Sequence, residues 1–363
     1  MYSLPGFLLL KRENAMYISV IGPARSGKTT LFQALSGVES ARGFSDGDNI
    51  ISIDVPDSRV DEMARIFKPK KTTHARIELA DTVAIGEGNI KDSTINAKTL
   101  QKMRSSDAFI VTLNDFDGAE QADLRREFHD IMNEFILADM VQIEGRIERI
   151  KKQGGKKENT ALQQEMELLE RLLGHAGDGK ALKTLELGPN DEKAVRGFRF
   201  LSQKSMMIAV NRPEGAAGME NEGQAGDIGG YPALYVCATL EQELAMMADD
   251  DRTAFMEEFN VKESIRGRMI RLAFDTLGLI SFLTVGDDEC RAWPVRKGVN
   301  AQEAAASIHT DLATRFIRAE VVSYADFMKY GGMNECKKAG VWRLEGKSYL
   351  VQDGDIMSIR AGT

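Results

Sequence analysis

Apolar residues fall along this chain in two rhythms. One is a set of short runs rich in aliphatic and β-branched residues: Met16–Ile21, 75–81, 108–113, 206–210 and 233–236. Their lengths and composition suit strands. The other rhythm is helical. Ile136, Met140, Ile143, Ile147 and Ile150 recur at steps of four and three, and Leu162, Met166, Leu169 and Leu173 repeat the pattern beyond Gly154 and Gly155. That spacing predicts an antiparallel coiled-coil hairpin, inserted over about 119–185 between two strands of the sheet. A helix over 264–277 follows the last of these strands, and then the rhythm changes. Residues 281–285 and 291–295 read as paired strands about a turn at 286–289, 301–316 has helical spacing, and 348–360 reads as two strands across a turn at Asp353 and Gly354. The expected organisation is an α/β sheet domain over 16–279 that carries the hairpin, then a small α+β domain over 280–363. Residues 1–15 are set apart as an N-terminal extension with no function assigned.

Length and charge narrow the partners. The 363 residues are enough for two or three cores, and 43% hydrophobic with 28% charged residues and 8 prolines excludes wholesale disorder. Against 47 basic residues stand 55 acidic ones, a net charge of −8, so bulk charge cannot hold the chain on nucleic acid. DNA is not expected as a partner, and any RNA contact must be local. One such patch is the hairpin tip, where Arg146, Arg149, Lys151, Lys152, Lys156 and Lys157 surround the single acid Glu148. A solvated helix end and a contact for RNA phosphates both fit it. Residues 280–363 hold 11 basic and 11 acidic side chains, so charge gives that domain no partner. Its Trp293 and Trp342 lie within apolar alternation and are expected to pack. Cys237, Cys290 and Cys336 lack CxxC spacing and the four histidines are scattered, so neither a disulfide framework nor a zinc site is indicated. A reducing cytoplasm fits. The first apolar run has Lys11 and Arg12 after it, the reverse of a signal peptide, and no stretch approaches a membrane span. A monomer away from membranes is expected.

The candidate chemistry begins at the first strand. Met16–Ile21 leads into GPARSGKTT and then into the helical spacing of LFQALSG, and Gly22, Gly27, Lys28 and Thr29 satisfy GxxxxGK[ST]. Strand, glycine loop and helix form the setting a phosphate loop needs. The glycines let backbone N–H groups face phosphate oxygens, and the helix start adds its positive dipole end. Lys28, the candidate catalytic residue, would reach the β and γ phosphates, and the Thr29 hydroxyl would ligate magnesium. Arg25, Ser26 and Thr30 complete the nucleotide-binding segment. A second metal-side group is needed at another strand end; Asp81 is the candidate, with a solvated strand-end aspartate as the plain alternative. Base selection belongs to later strands at the same sheet edge. There Asn211 and Glu214 form NxxE, and Cys237 and Ala238 begin a small loop that would back the base. Guanine selection uses NKxD, whose aspartate accepts two protons from the guanine edge. NxxE does not reproduce that fork, so ATP is favoured over GTP, although Asn-Arg-Pro-Glu is also an ordinary turn.

These motifs together resemble the YchF/Obg-like ATPase family, a branch of the Obg-related P-loop NTPases. The resemblance runs from about Met16 to Arg360 and is most specific in VRKGVNAQEAAASIHTDLATRFIRAEVVSYADF and AGVWRLEGKSYLVQDGDIMSIR. It implies an OBG-type G domain with the helical insertion, a C-terminal TGS-like domain, ATP with Mg2+, slow hydrolysis and association with ribosomes. Three departures bear on turnover. Arg25 stands where the family usually has asparagine, and would either add a positive charge near the phosphates or face solvent. Residues 40–50 are shorter than the family's first switch and lack its threonine, and Ala84 replaces the switch glycine. Ile85 occupies the position of the family's hydrophobic residue, so no general base is evident. Two functions are therefore carried forward: a slow ATPase acting as a ribosome-associated translation or stress regulator, and a catalytically weak nucleotide-dependent module that docks through the hairpin and the TGS-like domain.

Overall fold

The structure is a computed structural model that describes residues 16–37, 50–81, 85, 97–118, 120–153, 160–214, 225–258 and 264–362. The extension 1–15, the first-switch segment 38–49, Ala84 and the tip lysines Lys156 and Lys157 lie outside the described residues.

In chain order the first elements are β1 (Met16–Ile21), α1 (Lys28–Ser36), β2 (Ile50–Asp54), α2 (Ser58–Phe67), β3 (Lys71–Thr73), β4 (Arg76–Asp81), α3 (Ala97–Ser105) and β5 (Ala108–Asn114). Next come α4 (Gln121–Gln153), α5 (Thr160–Gly177), α6 (Pro189–Val195), β6 (Ser205–Asn211), β7 (Ala225–Ile228), β8 (Tyr231–Val236), α7 (Ala238–Met246), α8 (Asp249–Glu258) and α9 (Ile265–Thr276). The last are β9 (Leu279–Thr284), β10 (Glu289–Arg296), α10 (Ala301–Ile308), α11 (Thr310–Thr314), β11 (Phe316–Ser323), α12 (Tyr324–Tyr330), α13 (Met333–Lys338), β12 (Arg343–Glu345) and β13 (Asp355–Ala361).

The chain forms two compact units, one holding Tyr17–Ile51 and Leu79–Arg266, the other Ser52–Glu78 and Gly267–Thr363. The C-terminal unit thus takes in an excursion from the sheet domain that a linear boundary at residue 279 does not include.

The seven-stranded sheet has the order β2-β4-β1-β5-β6-β8-β7. β1, β5, β6 and β8 pair in parallel, and β7 closes the edge as an antiparallel hairpin with β8. Parallel strands are covered on both faces, which is why β5 and β6 are buried almost throughout. Phe109 of β5 meets Phe135 of α4, ring centroids 5.3 Å apart, in the core beneath the hairpin root. Farther out, Ile136, Ile143, Ile147 and Ile150 bury against Leu168, Leu169 and Leu172; of the stripe the spacing predicts on α5, Leu169 is buried and Leu162, Met166 and Leu173 pack partly buried at its sides. Parallel pairing puts the carboxyl ends of β1, β5, β6 and β8 along one edge of the sheet.

In the other unit the sheet order is β12-β11-β13-β9-β10-β3. β9 and β10 pair antiparallel, β13 joins β9 in parallel, and α10 covers the sheet with Ala301, Ala304 and Ala305 fully buried. Asn300 and Glu303 form a reciprocal capping box that starts α10. Trp293 packs on Phe282 within this core and donates its indole N–H to Thr284 Oγ1 at 2.9 Å. Two expectations are corrected here. The helical stretch over 301–316 breaks at His309, whose extended backbone ends α10 and caps α11. Residues 348–351 do not form a strand: Leu350 makes only an isolated bridge to Asn300, and the Gln352 N–H turns to the Asp355 carboxylate. Instead, β12 pairs with β11. Among the described residues no helix is long and apolar enough to cross a membrane.

Candidate functional site

The segment between β1 and α1 is built around two glycines. Gly22 has φ 150°, and a Cβ there would sit 2.2 Å from the Thr112 carbonyl oxygen. Gly27 has φ 83°, and its Cβ would sit 2.1 Å from Asn211 Nδ2. Both positions therefore demand glycine, for conformation and for space. Arg25 also has positive φ, 64°, is exposed, and makes no hydrogen bond or ion pair with another described residue. That strained, outward placement suits a side chain reserved for contact beyond the loop.

Lys28 opens α1 and is 8% exposed. Its Nζ donates to the Pro23 carbonyl at 2.6 Å, folding the side chain back across the loop. Burial pushes its ammonium below the ordinary lysine range, and the charge of Asp81 opposes that shift. The Thr29 hydroxyl donates to Asp81 Oδ2 at 3.1 Å, so the residue after the lysine and the end of β4 meet as the motif requires. Ser26 is fully buried, and its Oγ has no hydrogen-bond partner among the described residues. Thr30 is half-buried in the first turn of α1. The Ile85 N–H donates to the Gly22 carbonyl at 2.9 Å. A hydroxyl and a carboxylate side by side are hard oxygen donors of the kind magnesium takes. With a lysine and a helix start beside them, these residues fit a magnesium-bound phosphate chain.

Asn211 is 2% exposed and ties three segments together. Its Nδ2 donates to the Ser26 carbonyl at 3.1 Å, and its Oδ1 accepts the Ala238 N–H at 3.0 Å. The amide thus holds the phosphate loop and the start of α7 at a set distance. Cys237, buried at the N-cap of α7, has its Sγ 3.2 Å from Thr239 Oγ1. Asn211, Cys237 and Ala238 are therefore brought to the loop. Glu214 is exposed in the turn after β6 and makes no hydrogen bond with another described residue.

Three residues of this edge escaped the motif reading. Arg212 donates from Nε to Asp115 Oδ2 at 2.8 Å, and its guanidinium lies 3.5 Å from the centre of the Tyr235 ring. Asp115 is buried and accepts that bond from the end of the neighbouring strand. Phe116 is 41% exposed, and its Cζ is 4.0 Å from where a Cβ on Gly27 would stand. Asn114 Oδ1 accepts the Phe116 N–H at 2.9 Å, which sets the aromatic beside the loop. The only signal in sequence was an aromatic two residues past a buried strand.

At the hairpin the basic patch is partly neutralised. Arg146 donates twice to Glu165 at 2.7 Å, and Lys152 pairs with Glu148 at 3.6 Å. Arg149 donates to the Gly145 carbonyl. Of the described cations there, Lys151 makes no hydrogen bond or ion pair with another described residue.

Comparison with known proteins adds the context. Residues 279–362 match the family model YchF-GTPase_C, described as a protein of unknown function (DUF933). The chain is 33% identical over 359 residues to the ribosome-binding ATPase YchF of Pasteurella multocida, covering 94% of this chain and 98% of that one. It is 33% identical over 365 residues to the protein of the same name from Bacillus subtilis, covering 95% and 99%. Among solved structures, that of the Schizosaccharomyces pombe YchF GTPase superposes over 99% of this chain and 100% of its own with a TM-score of 0.79, at 22% identity.

Proposed function

The chain belongs to the YchF family, and from that premise we propose that it binds ATP with magnesium at the Lys28 loop, hydrolyses it slowly, and works as a cytoplasmic, ribosome-associated factor. The observation that carries this reading is the meeting of Thr29 and Asp81 at 3.1 Å beside the buried ammonium of Lys28. Bound magnesium would supply charge neutralisation at the phosphate oxygens. The chain's own part is to exclude water from Lys28, to bring its ammonium from the Pro23 carbonyl to the terminal phosphates, and to present the N–H groups of the loop and of α1. Asn211 keeps the loop and the α7 start in register, and the exposed face of Phe116 offers a platform for the base.

ATP is assigned in preference to GTP. The chain carries NxxE, Asn211 and Glu214, in place of the NKxD whose aspartate pairs with the guanine edge, and Arg212 is held by Asp115 and Tyr235. The curated relatives are named ribosome-binding ATPases, and docking is assigned to the hairpin, with Lys151 at its described end, and to the C-terminal unit, read as TGS-like.

The test is hydrolysis by purified protein with magnesium and ATP, alongside Lys28→Ala. Turnover should fall by at least ~100-fold in the variant. Titration should show ATP bound about tenfold more tightly than GTP, equivalent to about 1.4 kcal/mol. Equal or tighter GTP binding overturns the base assignment, and ATP binding without Lys28-dependent hydrolysis leaves the nucleotide-dependent binding module as the function.

A further inference from the structure

The phosphate loop carries a second cation that the chemistry assigned so far does not use. Arg25 stands three residues before Lys28, is exposed, and makes no hydrogen bond or ion pair with another described residue. On the premise that ATP is hydrolysed at this loop, we propose that Arg25 is a catalytic residue. Its guanidinium lies along the bound phosphate chain and stabilises the charge that builds on the oxygen between the β and γ phosphorus atoms as the terminal phosphoryl group leaves.

The backbone gives the first reason. Of the described residues other than glycine, three have positive φ: Arg25 at 64°, Lys68 at 48° and Arg199 at 53°. Lys68 caps α2, its N–H donating to the Ala64 carbonyl, and Arg199 follows the short helical turn over 196–198. There the left-handed residue ends a helix. Arg25 ends none. Its conformation belongs to the loop: Arg25 and Gly27 are left-handed, Ser26 between them is not, and α1 begins at Lys28. Such alternation turns successive N–H groups toward one point and makes a concave seat for an anion. Glycine would take this position without strain, as it does at Gly27, so the strain accompanies a side chain that glycine would not supply.

Position and charge give the others. The Ser26 N–H, in the peptide that follows Arg25, donates to the Pro23 carbonyl at 3.4 Å, and the Lys28 ammonium donates to the same oxygen at 2.6 Å. One oxygen thus holds the backbone beside Arg25 next to the ammonium that is to meet the terminal phosphates, within reach of an arginine side chain. Magnesium takes up half of the charge of ATP, Lys28 supplies one positive charge, and Asp81, 3.1 Å from Thr29, adds a negative one. A second cation is needed. Arg212 is committed to Asp115, and the Ile85 N–H, one residue past the altered switch position, to the Gly22 carbonyl at 2.9 Å. Arg25 is free. In the reaction the water oxygen bonds to the γ phosphorus, and the bond from that phosphorus to the bridging oxygen breaks with its electron pair staying on ADP. The protons of the water pass to the released phosphate and to solvent. The guanidinium keeps its own protons, and its attraction grows with the charge on the bridging oxygen, so it favours the transition state over bound ATP.

The experiment compares the full chain with Arg25→Gly, which relieves the positive φ, and with Arg25→Lys, which keeps the charge but not the fork of donors. Single-turnover hydrolysis with magnesium and ATP should fall at least ~100-fold in Arg25→Gly and less in Arg25→Lys. Affinity for a non-hydrolysable ATP analogue should change by less than about threefold, whereas ADP with aluminium fluoride, a mimic of the phosphoryl group in transfer, should lose affinity in step with the rate. Guanidinium ion at millimolar concentration should restore part of the Arg25→Gly rate and do nothing for Lys28→Ala. If the parent binds the mimic without turning over, the comparison of mimic affinities decides alone. Arg25→Gly that matches the parent in rate and in mimic affinity overturns this assignment and leaves the ATP reading standing. Equal loss of analogue and mimic affinity also overturns it, because Arg25 would then hold ATP and its transition state alike. A parent that binds neither the ATP analogue nor the mimic removes the ATP reading itself, and this assignment with it.

Discussion

Lys28 and Lys204 are both lysines drawn out of water within the same unit, and they are treated in opposite ways. Lys28 donates to the single carbonyl of Pro23 and has beside it a fully buried serine hydroxyl, Ser26 Oγ, without a partner among the described residues. Lys204 donates to the carbonyls of both Arg104 and Ser106. Next to it the carboxylate of Asp139, 0% exposed, accepts the N–H groups of Leu201 and Ser202 at 2.9 and 2.8 Å and the Ser202 hydroxyl at 2.9 Å. Arg104 lies 3.6 Å from that carboxylate and donates to the Ala138 carbonyl and to Gln142, while Gln142 donates onward to the Phe198 carbonyl. One cluster is closed: α3, α4 and the approach to β6 satisfy one another. The other keeps donors in reserve, as a region awaiting a polyanion must. Burial of charge alone does not separate function from architecture; the count of satisfied bonds does.

The largest effect expected from this contrast is on stability. Asp139→Ala leaves the Leu201 and Ser202 N–H groups and the Arg104 guanidinium without their buried acceptor. Breaking such a cluster from one side costs about 3–5 kcal/mol. Chemical denaturation should show that loss, while the variant that remains folded binds ATP as before. Weakened ATP binding with unchanged stability would make the Asp139 cluster part of the ligand site and erase the distinction.

A smaller but more specific effect concerns pH. Burial lowers the Lys204 ammonium to about 8, only partly opposed by Asp107 and Asp139. The unfolded chain therefore binds more protons than the folded one between about pH 8 and the ordinary lysine value of 10.5. Stability contributed through this group rises with pH across that window, by on the order of 3 kcal/mol in total. Below pH 8 the full cost of burying the charge is present. Lys204→Met should remove this rise, so the difference in stability between the two proteins should change between pH 8 and 10.5 and be flat below 8. A difference that stays constant across the window would mean that Lys204 is not desolvated as its carbonyl cage implies.

The two clusters also differ in how far the sequence disclosed them. The phosphate loop was legible because its residues are consecutive and its glycines are forced by φ and by Thr112 and Asn211, which would stand 2.1–2.2 Å from any Cβ there. Asp81 was legible from its place at a strand end. The seam of the hairpin was legible because Ile143, Ile147 and their partners keep one period over several turns. Asp139 was not, although it falls on the same stripe as Ile136 and Ile143: a lone acid in a helix is ordinarily read as solvated, and its partners at 201, 202 and 104 are distant in sequence. Asn211 was placed at the correct edge, yet its ties to the Ser26 carbonyl and the Ala238 N–H involve backbone groups that no motif names. The C-terminal sheet hid most. β3 is a three-residue strand contributed from residues 71–73 to pair with β10, and β12 is equally short and polar, so neither carries an alternation long enough to see.

The smallest effect sharpens the contrast from the ligand side. Phe116 is exposed and held beside Gly27 by the bond from its own N–H to Asn114, so its ring contributes little to the folded core. If it serves as the platform for the base, Phe116→Ala should weaken ATP about tenfold, within the ~1–3 kcal/mol that base stacking on an aromatic contributes. Stability should be unchanged, because no buried contact or satisfied polar group is lost. Inorganic triphosphate, which has no base, should bind variant and parent alike through Lys28 and the loop. That pattern is the mirror image of Asp139→Ala: affinity lost without stability, against stability lost without affinity. Equal weakening of ATP and triphosphate would instead place Phe116 with the phosphate loop, as a side chain that shapes Gly27 and not one that meets the base.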